Sequence, residues 1–365
     1  MNKDIKSLYI HIPFCNKICD YCDFTKLQYF RNFASDYLKA LEKELNSYHI
    51  GELKTIYVGG GTPTALEDDL FLELLEIIYP YSKEIEEYTF EANPESLTIN
   101  KIKLLKKYGV NRVSIGVQTT DDKILKLVNR DHSFSQVVDA VTNLKQEGID
   151  NINIDLILGL PHSSEKILKQ DIKNILSLDV KHISCYGLTV HEHTALYNKG
   201  YQEPAGDLLR QYYDNVEECL LNNDFIHYEV SNWAKPGYES KHNYTYWKNE
   251  QYFGVGLGAS GYIGEIRYKN TVNLTKYLDG KWADEEEHVS KRDKYVYQVM
   301  LNLRTIMGLD LDYLKKEFDI DILKDKKLEI DAFIKESYLE LIDHRLVATY
   351  QGMMILDQII LRFIS

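Results

Sequence analysis

Three cysteines, Cys15, Cys19 and Cys22, fall within one short segment directly after the first strand-like run of the chain. Disulfides among them would close no long loop and would stabilise little. Three thiolates converging from a single loop suit an iron–sulfur cluster, because three ligands for four irons leave one iron open to an exogenous ligand. A structural zinc would need a fourth donor, and neither Cys185 nor Cys219 has a paired spacing with this loop; both read as small packed hydrophobes. The total of five cysteines is odd, which fits metal ligation in a reducing compartment better than a disulfide framework.

Other groups with chemical potential lie further along. Gly59-Gly60-Gly61-Thr62-Pro63-Thr64 follows the second strand-like run, and a backbone without side chains can approach a ligand and offer it N–H and C=O groups. It is neither a Walker loop nor a dinucleotide fingerprint. Glu91 and Asn93, Gln118, Asp155, Tyr186 and Gly187 stand in or just after later runs. Taken singly, each has an ordinary structural account as a helix entry, a turn residue or a buried carboxylate. Strands that gather their C-terminal ends at one mouth would bring all of them together.

The elements that must position these groups can be read from periodicity. Strand-like runs cover Ser7 to Ile12, Thr55 to Val58, Tyr88 to Ala92, Arg112 to Val117, Asn151 to Ile157 and His182 to Leu188. Between them, apolar residues at three-and-four spacing, such as Phe33, Tyr37, Leu38, Leu41 and Leu45, mark helical faces. Six βα repeats predict a parallel sheet with right-handed crossovers, either doubly wound or curled into a barrel, and the repeat alone does not choose. Residues 1–200 form this unit. An irregular, aromatic-rich α/β extension follows over 201–282. The acidic Asp284 to Glu287 reads as a solvated linker into a helical, winged-helix-like module at 283–365.

Composition sets the outer bounds. With 365 residues, 44% hydrophobic and 27% charged, the chain is folded and neither collagenous nor disordered. Its 43 basic against 56 acidic residues give a net charge of −13, a sign that repels nucleic-acid phosphates. The longest apolar stretch, 152–160, is broken by Asn153 and Asp155 and is too short to span a bilayer. No secretory leader pattern precedes it, so a cytoplasmic location is expected.

The run Tyr9-Ile-His-Ile-Pro-Phe-Cys15 with Cys19, Tyr21 and Cys22 resembles the radical S-adenosylmethionine (radical SAM) superfamily, and within it the oxygen-independent coproporphyrinogen oxidase group. The similarity extends over nearly the whole chain. It implies a partial (β/α)6 barrel of the TIM-like kind with the C-terminal module appended, a [4Fe–4S] cluster on Cys15, Cys19 and Cys22, and S-adenosylmethionine held at the open iron. Within EANPE, GVQ, LVNR and IDLILGLP, the resemblance places cofactor contacts on Tyr9, Tyr21, Gly60, Gly61, Thr62, Glu91, Gln118, Arg130 and Asp155. Carboxylates suit the ligand's cationic groups and ribose hydroxyls, and Arg130 suits its carboxylate.

Two features separate this chain from the decarboxylases of the group, which carry a further cysteine two residues after the third ligand and an N-terminal extension. Here Asp23 and Phe24 follow Cys22, and fourteen residues precede Cys15. The chain instead resembles the haem-chaperone branch, marked by an HNxxY sequence, present as His242-Asn243-Tyr244-Thr245-Tyr246. That likeness implies haem on His242 as axial ligand, with Asn243 and Tyr246 as orienting or stacking groups. Haem, haem-accepting apoproteins and an electron donor for the cluster are the expected partners, and neither nucleic acid nor a membrane span is expected. The expected role is binding and delivery more than turnover; oxidative decarboxylation of coproporphyrinogen III is the alternative. His11 is expected near the cluster, and His191 and His193 are further candidates for porphyrin contact.

Overall fold

The protein is described by a computed structural model over residues 5–364. Six parallel strands carry the fold: β1 (Ser7–Ile12), β2 (Thr55–Gly60), β3 (Glu87–Ala92), β4 (Arg112–Gln118), β5 (Asn151–Leu158) and β6 (His182–Gly187). Each sits beside the next in sequence order, as a right-handed βα repeat requires. The strands are not uniformly apolar. Ile10, Ile56, Val58, Phe90, Val113, Ile115, Ile154 and Ile183 alternate with Tyr9, Tyr57, Glu91, Ser114, Asp155 and Ser184, and the registers Tyr9↔Tyr57, Glu91↔Ser114 and Gly116↔Asp155 keep the polar positions on one face.

The apolar face packs outward under the helices. Tyr37, Leu38 and Leu41 of α1 (Arg31–Ser47), Phe71 and Leu74 of α2 (Asp68–Ile78), Ile102 and Leu105 of α3 (Ile99–Lys107), Val137 and Val141 of α4 (Phe134–Gln146) and Ile172 and Ile175 of α5 (Glu165–Leu176) join the strand residues in one buried cluster. The polar face lines the interior of an open barrel, as expected for the partial (β/α)6 architecture.

The extension at 201–282 is not a separate layer, which corrects the boundary expected at residue 200. Strands β7 (Ile226–Glu229) and β8 (Asn232–Ala234) pair antiparallel beyond β6, and β9 (Phe253–Val255) pairs parallel with β1, so the sheet has nine strands in the order β9-β1-β2-β3-β4-β5-β6-β8-β7. Tyr212, Val216, Trp233, Phe253 and Tyr277 pack in the same buried cluster as the barrel. The sequence hides this because β8 and β9 are three residues long and the pattern between them is aromatic without a clean period. Asp284 to Glu287 is also not a linker. It lies in an exposed edge strand, Ala283–His288, paired with Ile266–Asn270.

The C-terminal module has its own buried cluster, from Tyr295 to Phe363. Helices Lys291–Asn302, Leu311–Phe318 and Lys327–Lys335 pack with a three-stranded antiparallel sheet. Its hairpin Leu339–Ile342/Arg345–Ala348 turns through Asp343 and His344, both at positive φ (44° and 61°), the backbone of a two-residue primed turn. This matches the expected winged-helix-like outline. Among the described residues no helix is long and apolar enough to cross a membrane.

One buried carboxylate ties α1 to the added edge of the sheet. Glu44 accepts hydrogen bonds from Gly256 N–H (2.9 Å), Asn270 Nδ2 (2.6 Å) and the Tyr277 hydroxyl. Removing it takes this acceptor from the Gly256 N–H and the Tyr277 hydroxyl and leaves Asn270 Nδ2 with Gly256 O alone (2.9 Å). Glu44→Ala is expected to cost about 3 kcal/mol or more in chemical denaturation, whereas exposed Glu42→Ala on the same helix should stay within about 0.5 kcal/mol of wild type. Equal stability of the two variants would show that the latch carries no load.

Candidate functional site

The cysteine loop is pinned at both ends. Phe14–Cys15 pairs in parallel with Leu27–Gln28, through Leu27 N–H to Pro13 O (2.7 Å) and Tyr29 N–H to Cys15 O (2.8 Å). The glycine turn is stitched to the same place by Gly61 N–H to Ile12 O and Thr62 N–H to Phe14 O, both 2.8 Å. This approach demands glycine: a Cβ on Gly61 would lie 2.7 Å from the Pro13 carbonyl carbon, and one on Gly60, at φ +112°, would lie 2.4 Å from the His11 ring. His11 is itself a brace. Its Nε2–H donates to Thr25 O in the cysteine loop (2.8 Å), and Nδ1 accepts from the Tyr9 hydroxyl (2.9 Å), so burial holds the ring neutral, with a pKa lowered to about 4.

Above this stitching, at the C-terminal ends of the strands, opens a cavity of about 400 Å³. Cys15, Cys19 and Cys22 all line it, as do Tyr21, Gly60, Gly61, Thr62, Glu91, Gln118, Arg130 and Asp155. Eleven residues expected at one site are thus gathered there. Burial pushes the Cys15 thiol up to about 12, against the pull of the Thr62 hydroxyl that donates to its Sγ (3.7 Å). Arg130 Nη1 donates to Cys19 Sγ (3.5 Å) and Nη2 to Asn93 Oδ1 (3.1 Å), while its buried Nε has no partner. Gln118 reaches the cavity because the β4–β5 register slips at Gly116/Gln118 and Gln118 takes a left-handed φ of 68°. Among the described residues no three His, Cys, Asp or Glu side chains close on a single metal ion.

The carboxylates sit deeper. Glu91 accepts from the Tyr57 hydroxyl (2.7 Å) and Gly60 N–H (2.9 Å), and burial raises its pKa to about 7, with Asp155 adding to the rise. Asp155 accepts from Ser114 Oγ (3.0 Å) and Asn153 Nδ2 (2.7 Å); burial raises it too. Tyr57 is the residue the sequence analysis passed over, although its even spacing with Gly59 in β2 marks the inward face.

Residues 9–175 match the Radical SAM superfamily, and residues 289–355 match the HemN C-terminal domain. The heme chaperone HemW of Lactococcus lactis subsp. lactis (strain IL1403) is 38% identical over 350 residues, covering 93% of this chain and 90% of that protein. The chain belongs to the HemW family. The Bacillus subtilis (strain 168) heme chaperone HemW is 39% identical over 330 residues, 86% of each chain. The solved coproporphyrinogen III oxidase (HemN) from Escherichia coli covers all of this chain and 91% of its own with a TM-score of 0.87, at 20% identity; that likeness establishes the fold.

Membership of the HemW family makes the position of HNxxY informative, and the motif lies away from the cavity that gathers the cysteines. His242 is fully buried at the opposite end of the barrel from the cavity, in α6 (Lys241–Trp247). The Thr55 hydroxyl donates onward to Ser7, so His242 Nδ1–H donates to Thr55 Oγ1 (2.8 Å) and Nε2 accepts from the Tyr246 hydroxyl (2.8 Å). Both nitrogens are hydrogen-bonded and burial holds the ring neutral, with a pKa near 3. The helix closes the barrel floor, with Glu87 accepting from Ser240 Oγ, Lys241 N–H and His242 N–H. Asn243 N–H is capped by Ser240 Oγ (3.3 Å), and the Tyr246 ring packs 4.7 Å from Tyr252. Tyr9 also lies below the cavity, 6.0 Å from the Tyr57 ring, as a support and not as lining.

Two outcomes follow from this geometry. Gly61→Ala meets backbone that cannot yield and should destabilise by about 2 kcal/mol or more in denaturant; wild-type stability would refute the close approach. An ordinary glutamate ionises near 4.5, and Glu91 near 7. Between those values the unfolded chain gives up a proton that the folded chain keeps, so Glu91 weakens the fold as pH rises and does so fully above about 7. In the ligand-free protein, Glu91→Gln should therefore raise Tm more at pH 8 than at pH 5. A gain that is the same at both pH values would count against the buried carboxyl.

Proposed function

We propose that this chain is a haem chaperone that binds haem and passes it to acceptor apoproteins, while carrying a [4Fe–4S] cluster and exchangeable S-adenosylmethionine. The observation that carries this is identity of 38–39% to the Lactococcus and Bacillus heme chaperones over most of each chain. Phe24, 66% exposed at the cavity mouth, stands where the resemblance places an extra cysteine in the decarboxylases.

The residues at the mouth fit the two cofactors. Cys15, Cys19 and Cys22 would hold the cluster, with Thr62 and Arg130 supplying hydrogen bonds to sulfur of the kind that tune such centres. The high pKa of Cys15 means that its thiol gives up a proton when metal arrives, which couples loading to pH. Glu91 and Asp155 would face the cationic groups and hydroxyls of S-adenosylmethionine, Arg130 its carboxylate, and Gly60, Gly61, Gln118 and Tyr21 would shape the pocket. When bound, the pair supplies one-electron chemistry that the side chains cannot. Haem, apo-haemoproteins and an electron donor are the partners of this reading.

The test is anaerobic reconstitution followed by parallel assays. The wild-type protein should bind hemin and form no protoporphyrinogen from coproporphyrinogen under reducing conditions. Cys15→Ala, Cys19→Ala and Cys22→Ala should each lose the visible absorption of the cluster, and Cys185→Ala and Cys219→Ala should keep it. Steady coproporphyrinogen turnover without hemin binding would replace the chaperone reading with the decarboxylase.

A further inference from the structure

Behind the cavity wall runs a line of buried polar side chains to which the cofactor reading gives no task. Asp155 lines the cavity, whereas Asn153 in the same strand, His182 at the start of β6 and Tyr228 in β7 do not, and all three are buried. They form a continuous series. Asn153 Nδ2 meets Asp155 Oδ1 at 2.7 Å, and Asn153 Oδ1 meets His182 Nδ1 at 2.6 Å. His182 Nε2 then meets the Tyr228 hydroxyl at 2.8 Å, and that hydroxyl meets the N–H of Ser240, the residue that caps α6, at 3.3 Å.

Donor and acceptor capacity fixes the direction of every bond in this series. Ser240 N–H can only donate, so the Tyr228 oxygen accepts there and directs its own proton at His182 Nε2. Burial, with Arg112 adding to it, holds His182 neutral. A neutral ring that accepts at Nε2 carries its proton at Nδ1, which therefore donates to Asn153 Oδ1. Ser184 Oγ adds a second, longer bond to the same oxygen (3.1 Å). The Asn153 amide is thereby turned with Nδ2 toward Asp155; the reversed amide would set a carbonyl oxygen against a carboxylate. Nδ2 also donates to Ser114 Oγ (2.7 Å), which leaves the Ser114 proton for Asp155 Oδ2 (3.0 Å). Each carboxylate oxygen thus receives a protein donor and keeps lone-pair capacity for a ligand.

Resting on the S-adenosylmethionine part of the reading above, we infer that Asn153 and His182 are positioning residues for that cofactor, which orient Asp155 and feed it donors so that it faces the cavity only as an acceptor. The ligand must then bring hydroxyl or ammonium donors, or positive charge, to this wall. His182 acts through Asn153: its Nδ1–H is the shortest bond holding the amide, and without it the amide is free to turn its oxygen toward the carboxylate.

Equilibrium dialysis of labelled S-adenosylmethionine against the anaerobically reconstituted protein tests this without relying on turnover. Asn153→Leu, of similar size, should weaken binding by about tenfold or more, the loss of a hydrogen bond to a charged group, with cluster absorption at the wild-type level. His182→Leu should weaken binding as well. His182→Asn, whose amide can place an N–H where Nδ1–H stood, should stay within about twofold of wild type; packing alone would make these two replacements of similar size behave alike. In nitrogen NMR of the full-length, ligand-free chain with labelled histidine, the signal lost in His182→Asn should report a neutral Nδ1–H ring that does not titrate across neutral pH. An Nε2–H ring, wild-type affinity in Asn153→Leu, or equal affinities in His182→Leu and His182→Asn would overturn the positioning role and leave the cofactor reading standing. A wild-type protein that takes up the cluster but no S-adenosylmethionine would overturn both.

Discussion

The whole site depends on a strict alternation in six parallel strands, with apolar side chains turned outward beneath the helices and polar ones turned in. A buried polar group is tolerated only when something satisfies it. Much of this interior is satisfied internally: Asp155 by Ser114 and Asn153, Asn153 by His182, and His182 by Tyr228. The remainder is not. Arg112 Nε, Thr89 Oγ1 and Arg130 Nε are buried without partners, and Glu91 is held far above its ordinary pKa. Of these, Arg130 and Glu91 line the cavity at the mouth, where a ligand with its own charges and hydroxyls can complete the network, whereas Thr89 and Arg112 pair with each other at the lower ends of β3 and β4.

The two ends of the barrel solve opposite problems. At the floor, Glu87 accepts from three groups at the start of the HNxxY helix, and His242 joins that helix to Thr55 and Ser7 of the first two strands. The result is a plug. At the mouth, the glycine turn crosses the start of the cysteine loop so closely that side chains are excluded, and His11 supports both from below. Further bonds hold the loop from the far side: Asn129 Nδ2 to Ile18 O, Asp20 N–H to Val128 O, and the ion pair of Lys199 with Asp20. A loop that must present three thiols to one rigid inorganic group cannot be left to its own entropy.

Local signals carried most of the barrel. The six strands and their helices announce themselves by period, and the cysteines and glycines by spacing. The added strands were hidden because three residues offer no period to detect, and Asp284 to Glu287 because a strand exposed at every position has no apolar face to mark it. The gathering of eleven site residues was legible from the family resemblance and from their place at strand ends. The role of His242 was not, because its partners Thr55 and Glu87 lie 187 and 155 residues away in the sequence. A histidine beside tyrosines looks the same on paper whether it faces a porphyrin or the underside of a sheet.

A barrel plugged at its floor opens at its mouth, and depth then sorts any two ligands that share it. On the proposed reading, S-adenosylmethionine would sit deep, against Glu91 and Asp155, where buried carboxylates can meet its cationic groups. The rim differs from this polar interior in carrying the exposed aromatics Phe24 and Tyr186, so the depth of the cavity favours a charged ligand and its mouth an apolar one.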